Sequence, residues 1–179
     1  MTCPSSGTRF RCRNDAAVSK LGHPAVRRVQ AALERGGSRA EVIELASTAR
    51  SAQDAASALG VQLGAIVKSL VFIVNGAPVM ALIAGDRRCD TKALPGALGM
   101  NGLVLRADAE QVREATGFAI GGVAPVGHPR PLATVIDHSL GRFDVVYAAA
   151  GHPFCVFPTT ALELSLLTGG ALAKGISSS

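Results

Sequence analysis

Ala65-Ile-Val-Lys-Ser-Leu-Val-Phe-Ile-Val-Asn-Gly-Ala-Pro-Val-Met-Ala-Leu-Ile-Ala84 is the stretch around which the rest of the chain arranges itself. Two apolar, β-branched runs, Ile66–Val74 and residues 78–84, flank Asn75-Gly76, a dipeptide that readily takes the left-handed angles of a tight hairpin turn. The stretch predicts two adjacent central strands. Lys68 is out of keeping with it. An ammonium in a run that is otherwise apolar must face a cleft, find an anion, or reach water along its own stem. Facing a cleft, it could bind phosphate as a point charge or orient a polar reactant.

Towards the N-terminus, residues 41–45 alternate weakly as a strand, and residues 51–59 read as a helix capped by Ser51 and stopped by Gly60. Before them, Val26, Val29, Ala32 and Leu33 recur at helical spacing after Pro24, and Gly36-Gly37 ends that helix. Residues 1–22 are polar and aperiodic, so they are expected to be a loosely attached extension of a domain spanning residues 23–179.

Towards the C-terminus come a charged loop at residues 85–90, a short helix at 91–98, a short strand at 103–105 and a helix at 108–116 N-capped by Asp108. Residues 132–136, 144–149 and 154–157 read as strands, residues 158–167 as a helix, and residues 169–179 as a trailing end. The order lacks the strict βαβ alternation of a doubly wound sheet. An α/β chain of α+β type is expected, with a mixed sheet and helices packed on it.

Between the helix at 108–116 and the strand at 132 lies Thr116-Gly-Phe-Ala-Ile-Gly-Gly-Val-Ala-Pro-Val-Gly-His-Pro129. Its glycines allow backbone angles and close approaches that a Cβ forbids, while Pro125 and Pro129 stiffen the path. Because Phe118, Ile120, Val123 and Val126 should anchor the loop on a core, its free N–H groups would stand at fixed positions, suited to an anionic or carbonyl ligand. A purely structural crossover is the competing reading. The loop is neither G-x-x-x-x-G-K-[ST] nor a G-x-G-x-x-G that opens a helix, so nucleotide-cofactor use is not supported.

The chain has 179 residues, 48% of them hydrophobic and 17% charged, which argues for a folded domain rather than disorder. A net charge of +5 permits a polyanionic partner, but no run of Lys and Arg interleaved with aromatics demands one. Cys3, Cys12, Cys89 and Cys155 form no C-x-x-C pair, consistent with free thiols in a reducing compartment. His128, His138 and His152 are too widely spaced for a metal set, so no metal or cofactor is expected. Asp137, His138 and Ser139 are consecutive and lack a G-x-S-x-G elbow, which disfavours a serine hydrolase. Apolar runs are too short to span a bilayer and residues 1–19 lack the apolar core of a signal peptide; a cytoplasmic protein is expected. Asp86, Arg87, Arg88, Asp90 and Lys92 follow a central strand and could line the same cleft as Lys68 or form a solvated loop.

Val67-Lys-Ser-Leu-Val-Phe72, the loop from Thr116 to Gly127 and Ala149-Ala-Gly-His152 together resemble the YbaK/EbsC family, relatives of the editing domain inserted in bacterial prolyl-tRNA synthetases. The resemblance extends over about residues 24–170. It implies a compact domain with a strongly curved mixed sheet. It also implies a free-standing deacylase that hydrolyses the ester between a wrong amino acid and the terminal adenosine of tRNA, most often tRNA for proline. On that resemblance Lys68 matches the family's essential lysine, and Gly121-Gly-Val-Ala-Pro125 its G-x-x-x-P loop, with Gly121 and Pro125 as catalytic-loop residues. Gly117, Gly122, Val123, Ala124, Gly127, Gly151 and His152 become substrate-binding candidates. Ser47 and Thr48 fall where some relatives line the pocket, and Arg87, Arg88 and Lys92 are candidate tRNA contacts. The implied partners are the aminoacyl-tRNA acceptor end and prolyl-tRNA synthetase. The implied amino acid is Ala or another small residue such as Cys, Ser or Thr. A module that grips an acceptor end or nucleotide without hydrolysis is the alternative, and a hydrolase of free nucleotide esters a third reading.

Overall fold

The computed structural model describes residues 19–179. The expected hairpin is present as β2 (Ile66–Val74) and β3 (Ala77–Ala84), joined through Asn75 at φ 50° and Gly76 at φ 77°. Positive φ at both turn positions matches the turn to the right-handed twist of its strands. The strands pair in unbroken antiparallel register from Val67↔Ala84 to Val74↔Ala77.

Around this hairpin the eight-stranded sheet runs β1-β8-β7-β2-β3-β6-β9, with β5 also on β2. The further strands are β1 (Ile43–Glu44), β5 (Val104–Arg106), β6 (Ala133–Asp137), β7 (Val146–Ala149), β8 (Cys155–Thr159) and β9 (Ala171–Ala173). A separate ribbon joins β4 (Arg88–Cys89) to β10 (Ser177–Ser178). The sheet is mixed, since β2–β7, β3–β6 and β6–β9 are parallel and the other pairs antiparallel.

Alternation along β2 divides the core. Val67 and Val71 face a cluster that includes Val29 and Leu33 of helix α1 (Pro24–Arg35), Val112 of α4 (Ala109–Thr116), and Val123. Phe72 and Val74 face a second cluster with Leu94 of α3 (Leu94–Ala97), and Ile66 packs beneath α2 (Ala52–Leu59). Both longer caps are as expected: Ser51 with Asp54, and Asp108 with Gln111, form reciprocal capping boxes.

Three expectations are corrected. The last helix, α5, spans Ala161–Thr168 and is capped by Thr160, whereas Pro158 lies in β8 opposite Tyr147. Pro158 is tolerated there because β1 pairs only as far as Val156, so no partner needs the missing N–H. The end of the chain does not trail away: it supplies β9 and β10, with Ile176 buried between them. Lys20–Gly22, assigned to the extension, forms a 3-10 turn, and Ser19 Oγ and the Lys20 N–H donate to the Glu44 carboxylate at 2.7 and 3.1 Å. Residues 1–18 of the expected extension, with Cys3 and Cys12, lie outside the described residues.

Candidate active site

The outer edge of β2 is only partly covered. Tyr147 and Ala148 of β7 pair with Ile66 and Val67, and β5 pairs with Phe72 to Val74. From Lys68 to Leu70 no strand lies alongside that edge among the described residues; Val71 receives a long bond there, from the Ala107 N–H at 3.4 Å. The chain turns away at both sides of the gap, after Ala149 and after Arg106. The opening holds a cavity of about 750 Å³, within the range of pockets that enclose a small ligand.

Lys68 and Ser69 line this opening on opposite faces of the sheet. Lys68 shares its face with Phe72 and Val74, Ser69 shares its face with Val67 and Val71. The Lys68 ammonium donates to the carbonyl of Arg87, which leaves two of its N–H bonds for a ligand. Burial lowers its pKa, opposed by the charge of Asp86. Asp86 is itself held by Arg142 at 2.9 Å.

Other cations gather on the Lys68 face. Arg106 of β5 stands opposite Phe72, Arg88 lies on β4, and Arg50 is at the turn into α2. All three line the cavity, and no carboxylate does so among the described residues.

On the other face the glycine loop crosses the opening. Ile120, Gly121 and Val123 line the cavity. Gly121 has φ 94°, a conformation strained for other residues, and the N–H groups of Gly121 and Val123 make no backbone hydrogen bond among the described residues. The Gly122 N–H, by contrast, is used in a turn to Ala119 at 3.0 Å. Gly122 instead provides close packing: a Cβ there would lie 3.0 Å from the His152 nitrogen. Helix α1 fixes the loop's start, since Arg28 donates to the Gly117 carbonyl at 2.9 Å and its guanidinium lies 4.4 Å from the centre of the Phe118 ring. Gly127 approaches the Arg28 backbone, and His128 Nε2 bonds the Ala124 carbonyl at 2.8 Å.

His152 completes the wall. Its Nδ1 accepts from the Phe154 N–H at 3.3 Å, which assigns the proton of the neutral ring to Nε2. Desolvation, with help from nearby His23 and Lys20, lowers its pKa, so at neutral pH the ring is a donor. Cys89 and Cys155 also line the cavity, both with pKa pushed up to about 11 by burial; they are protonated thiols.

Of the sequence candidates, Lys68, Gly121, Val123, His152 and Arg88 line the opening. Pro125, Gly122 and Ala124 are buried behind the loop and Gly117, Gly127 and Gly151 shape its supports, so none of these lines the cavity. Ser47 and Thr48 are exposed and outside it, while their neighbours Ala49 and Arg50 line it. Arg87 offers its carbonyl to Lys68 rather than its side chain to a ligand, and Lys92 is exposed outside the cavity. Asp137 accepts from the Ser139 hydroxyl at 2.6 Å away from the cavity, so those two residues serve a turn. Arg50, Arg106 and Ser69 were missed. Arg50 and Arg106 carry no motif, but Ser69 had a signal: a hydroxyl between two valines of one strand face.

The site is thus a mixed sheet parted beside a lysine, with a glycine turn across the opening. The chain belongs to the aminoacyl-tRNA editing domain family, whose model matches residues 46–165, and within it to the YbaK/EbsC group. The uncharacterized protein YwhH of Bacillus subtilis is 34% identical over 126 residues, covering 70% of this chain and 79% of its own length. EbsC of Enterococcus faecalis, named as a proposed Cys-tRNA(Pro)/Cys-tRNA(Cys) deacylase, is 29% identical over 125 residues, 69% of this chain and 76% of EbsC. A crystal structure of a proposed trans-editing enzyme for prolyl tRNA synthetase superposes with a TM-score of 0.79 at 43% identity, covering 84% of this chain and 96% of that one. Proline–tRNA ligase of Nitratidesulfovibrio vulgaris matches over 79 residues at 39% identity, only 14% of the ligase.

Proposed function

We propose that the protein is a trans-editing deacylase that hydrolyses the ester of mischarged tRNA for proline, with a small amino acid, Ala foremost, as the group removed. The observation that carries this reading is the two-faced opening. Cations gather on one face, suited to the phosphates of a tRNA 3′ end, and on the other the cavity is lined by Gly121 and Val123, whose N–H groups make no backbone hydrogen bond among the described residues and are suited to an acyl carbonyl.

An aminoacyl ester is already activated, so holding it, placing a water and stabilising the oxyanion accomplish most of the catalysis. Lys68, with Arg50, Arg88 and Arg106, binds the terminal nucleotide and its phosphate. The acyl group passes through the gap, and the N–H groups of Gly121 and Val123 receive its carbonyl oxygen as negative charge develops. His152 Nε2–H donates to the ribose. The water's oxygen bonds to the carbonyl carbon, the bond to the ribose 3′-oxygen breaks, and the proton shed by the water ends on that oxygen. Among the described residues the cavity wall has no carboxylate, its thiols stay protonated and its imidazole is a donor. The substrate's free 2′-hydroxyl therefore relays the proton.

Small branched side chains, Val67, Val71, Val112 and Val123, with Ala107, surround the acyl end and favour a short side chain. Selection by size alone is worth only about 1–3 kcal/mol per methylene, so several small amino acids should be removed at graded rates. Incubation with alanyl-, cysteinyl-, seryl- and threonyl-tRNA for proline tests the reading. Loss of at least one ester well above the uncatalysed rate supports it, whereas binding without any hydrolysis means a non-catalytic acceptor-end module.

A further inference from the structure

Ser69 combines two features that the reading above does not use. In the β2–β3 ladder the backbone groups of successive residues point alternately to the two edges of the strand. The Val71 carbonyl accepts from Ala107, on the outer edge, and Val67 is paired with β7 on that same edge. Ser69, two residues from each, must turn its N–H and C=O to that edge as well. Among the described residues no strand lies there to receive them. The second feature is the side chain: Ser69 Oγ is buried and has no hydrogen-bond partner among the described residues, at a cavity-lining position between two valines. A buried hydroxyl without a partner costs about 1–3 kcal/mol, a cost that a ligand bound in the opening would remove.

We infer that Ser69 is the anchor for the amino group of the aminoacyl ester, with its carbonyl and its Oγ as two acceptors. This rests on the deacylase reading above. The aminoacyl group then lies in the gap as a one-residue strand, its amino group donating to the Ser69 carbonyl. Residues directly opposite in an antiparallel pair place their side chains on the same face, so the substrate's side chain falls beside that of Ser69, among the valines. The cation-rich wall favours the neutral amine over the ammonium, and a neutral amine still has two hydrogens for the two acceptors. Ser69 is thus a positioning residue that separates α-amino from α-hydroxy esters.

The experiment compares each of the alanyl, cysteinyl, seryl and threonyl esters of tRNA for proline with its α-hydroxy counterpart, using wild type, Ser69→Ala and Ser69→Thr. An α-hydroxyl has one hydrogen and can satisfy one acceptor. Wild type should prefer the amino ester by about 10-fold in kcat/KM, the value of one such hydrogen bond. Ser69→Ala leaves one acceptor, so the ratio should fall towards one through a higher KM for the amino ester, and Ser69→Thr should retain it. A wild-type ratio near one, or an unchanged ratio in Ser69→Ala, overturns the inference while leaving deacylation intact. The wild-type ratio decides the matter even if the alanine variant folds poorly. Absence of hydrolysis of every ester overturns the deacylase reading, and the inference with it.

Discussion

Gly122 rests directly on the backbone of His152: a Cβ at Gly122 would lie 3.0 Å from the His152 nitrogen and 3.1 Å from the Gly151 carbonyl carbon. The glycine loop and the His152 turn are therefore one rigid unit across the opening. Both contact atoms are main chain, so Gly122→Ala must push the loop outward by a few tenths of an ångström. Misplaced oxyanion donors are costly in catalysis. The variant is expected to lose at least about 10-fold in kcat with a loss of stability of only about 1 kcal/mol, compared by single-turnover deacylation and denaturant unfolding.

The arginines should act on binding. Arg50→Gln and Arg106→Gln each remove a cation from the Lys68 face without touching the loop. KM for charged tRNA should rise several-fold with kcat little changed, and the dependence of KM on salt should become shallower, because fewer counterions are displaced. A fall in kcat at constant KM would place these residues in the chemistry instead.

Acid stability should depend on Asp137. Burial is the largest influence on its carboxyl and raises its pKa, but hydrogen bonds led by those from Ser139 outweigh it and hold the group below the ordinary carboxylate value. A carboxylate depressed in the folded state contributes stability that is complete above its unfolded value, near 4, and is lost as pH falls through the lower folded value. Thermal unfolding of wild type should therefore drop more steeply between about pH 4 and pH 2 than that of Asp137→Asn, which should be less stable at neutral pH. Parallel pH profiles for the two would contradict this.

The hairpin was legible because Asn75-Gly76 and two β-branched runs agree on one local answer. Helices α2 and α4 were legible through Ser51 and Asp108, whose caps act within four residues. The C-terminal strands were not, because Ala171–Ala173 and Ser177–Ser178 have little strand preference of their own and exist through the neighbours β6 and β4. The site divides in the same way. Lys68 announced itself by contradicting its strand, and the glycines by their number. Arg106 and Arg50 reach the cavity only because β5 pairs with β2 and the turn before α2 lies at the opening, a consequence of topology that no local pattern encodes. Ser47 and Thr48, three and two residues before Arg50, are exposed and outside the cavity, because a pocket position cannot be placed without the backbone that carries it.

The central claim is that Lys68 holds the ester's nucleotide end at the parted edge of β2. Single-turnover hydrolysis of alanyl-tRNA for proline by wild type and Lys68→Ala, with unfolding curves recorded in parallel, tests it most directly. Lys68→Ala should lose essentially all deacylation and keep a wild-type unfolding transition, since its side chain bonds only to the Arg87 carbonyl among the described residues. Full deacylation by a folded Lys68→Ala would contradict the account.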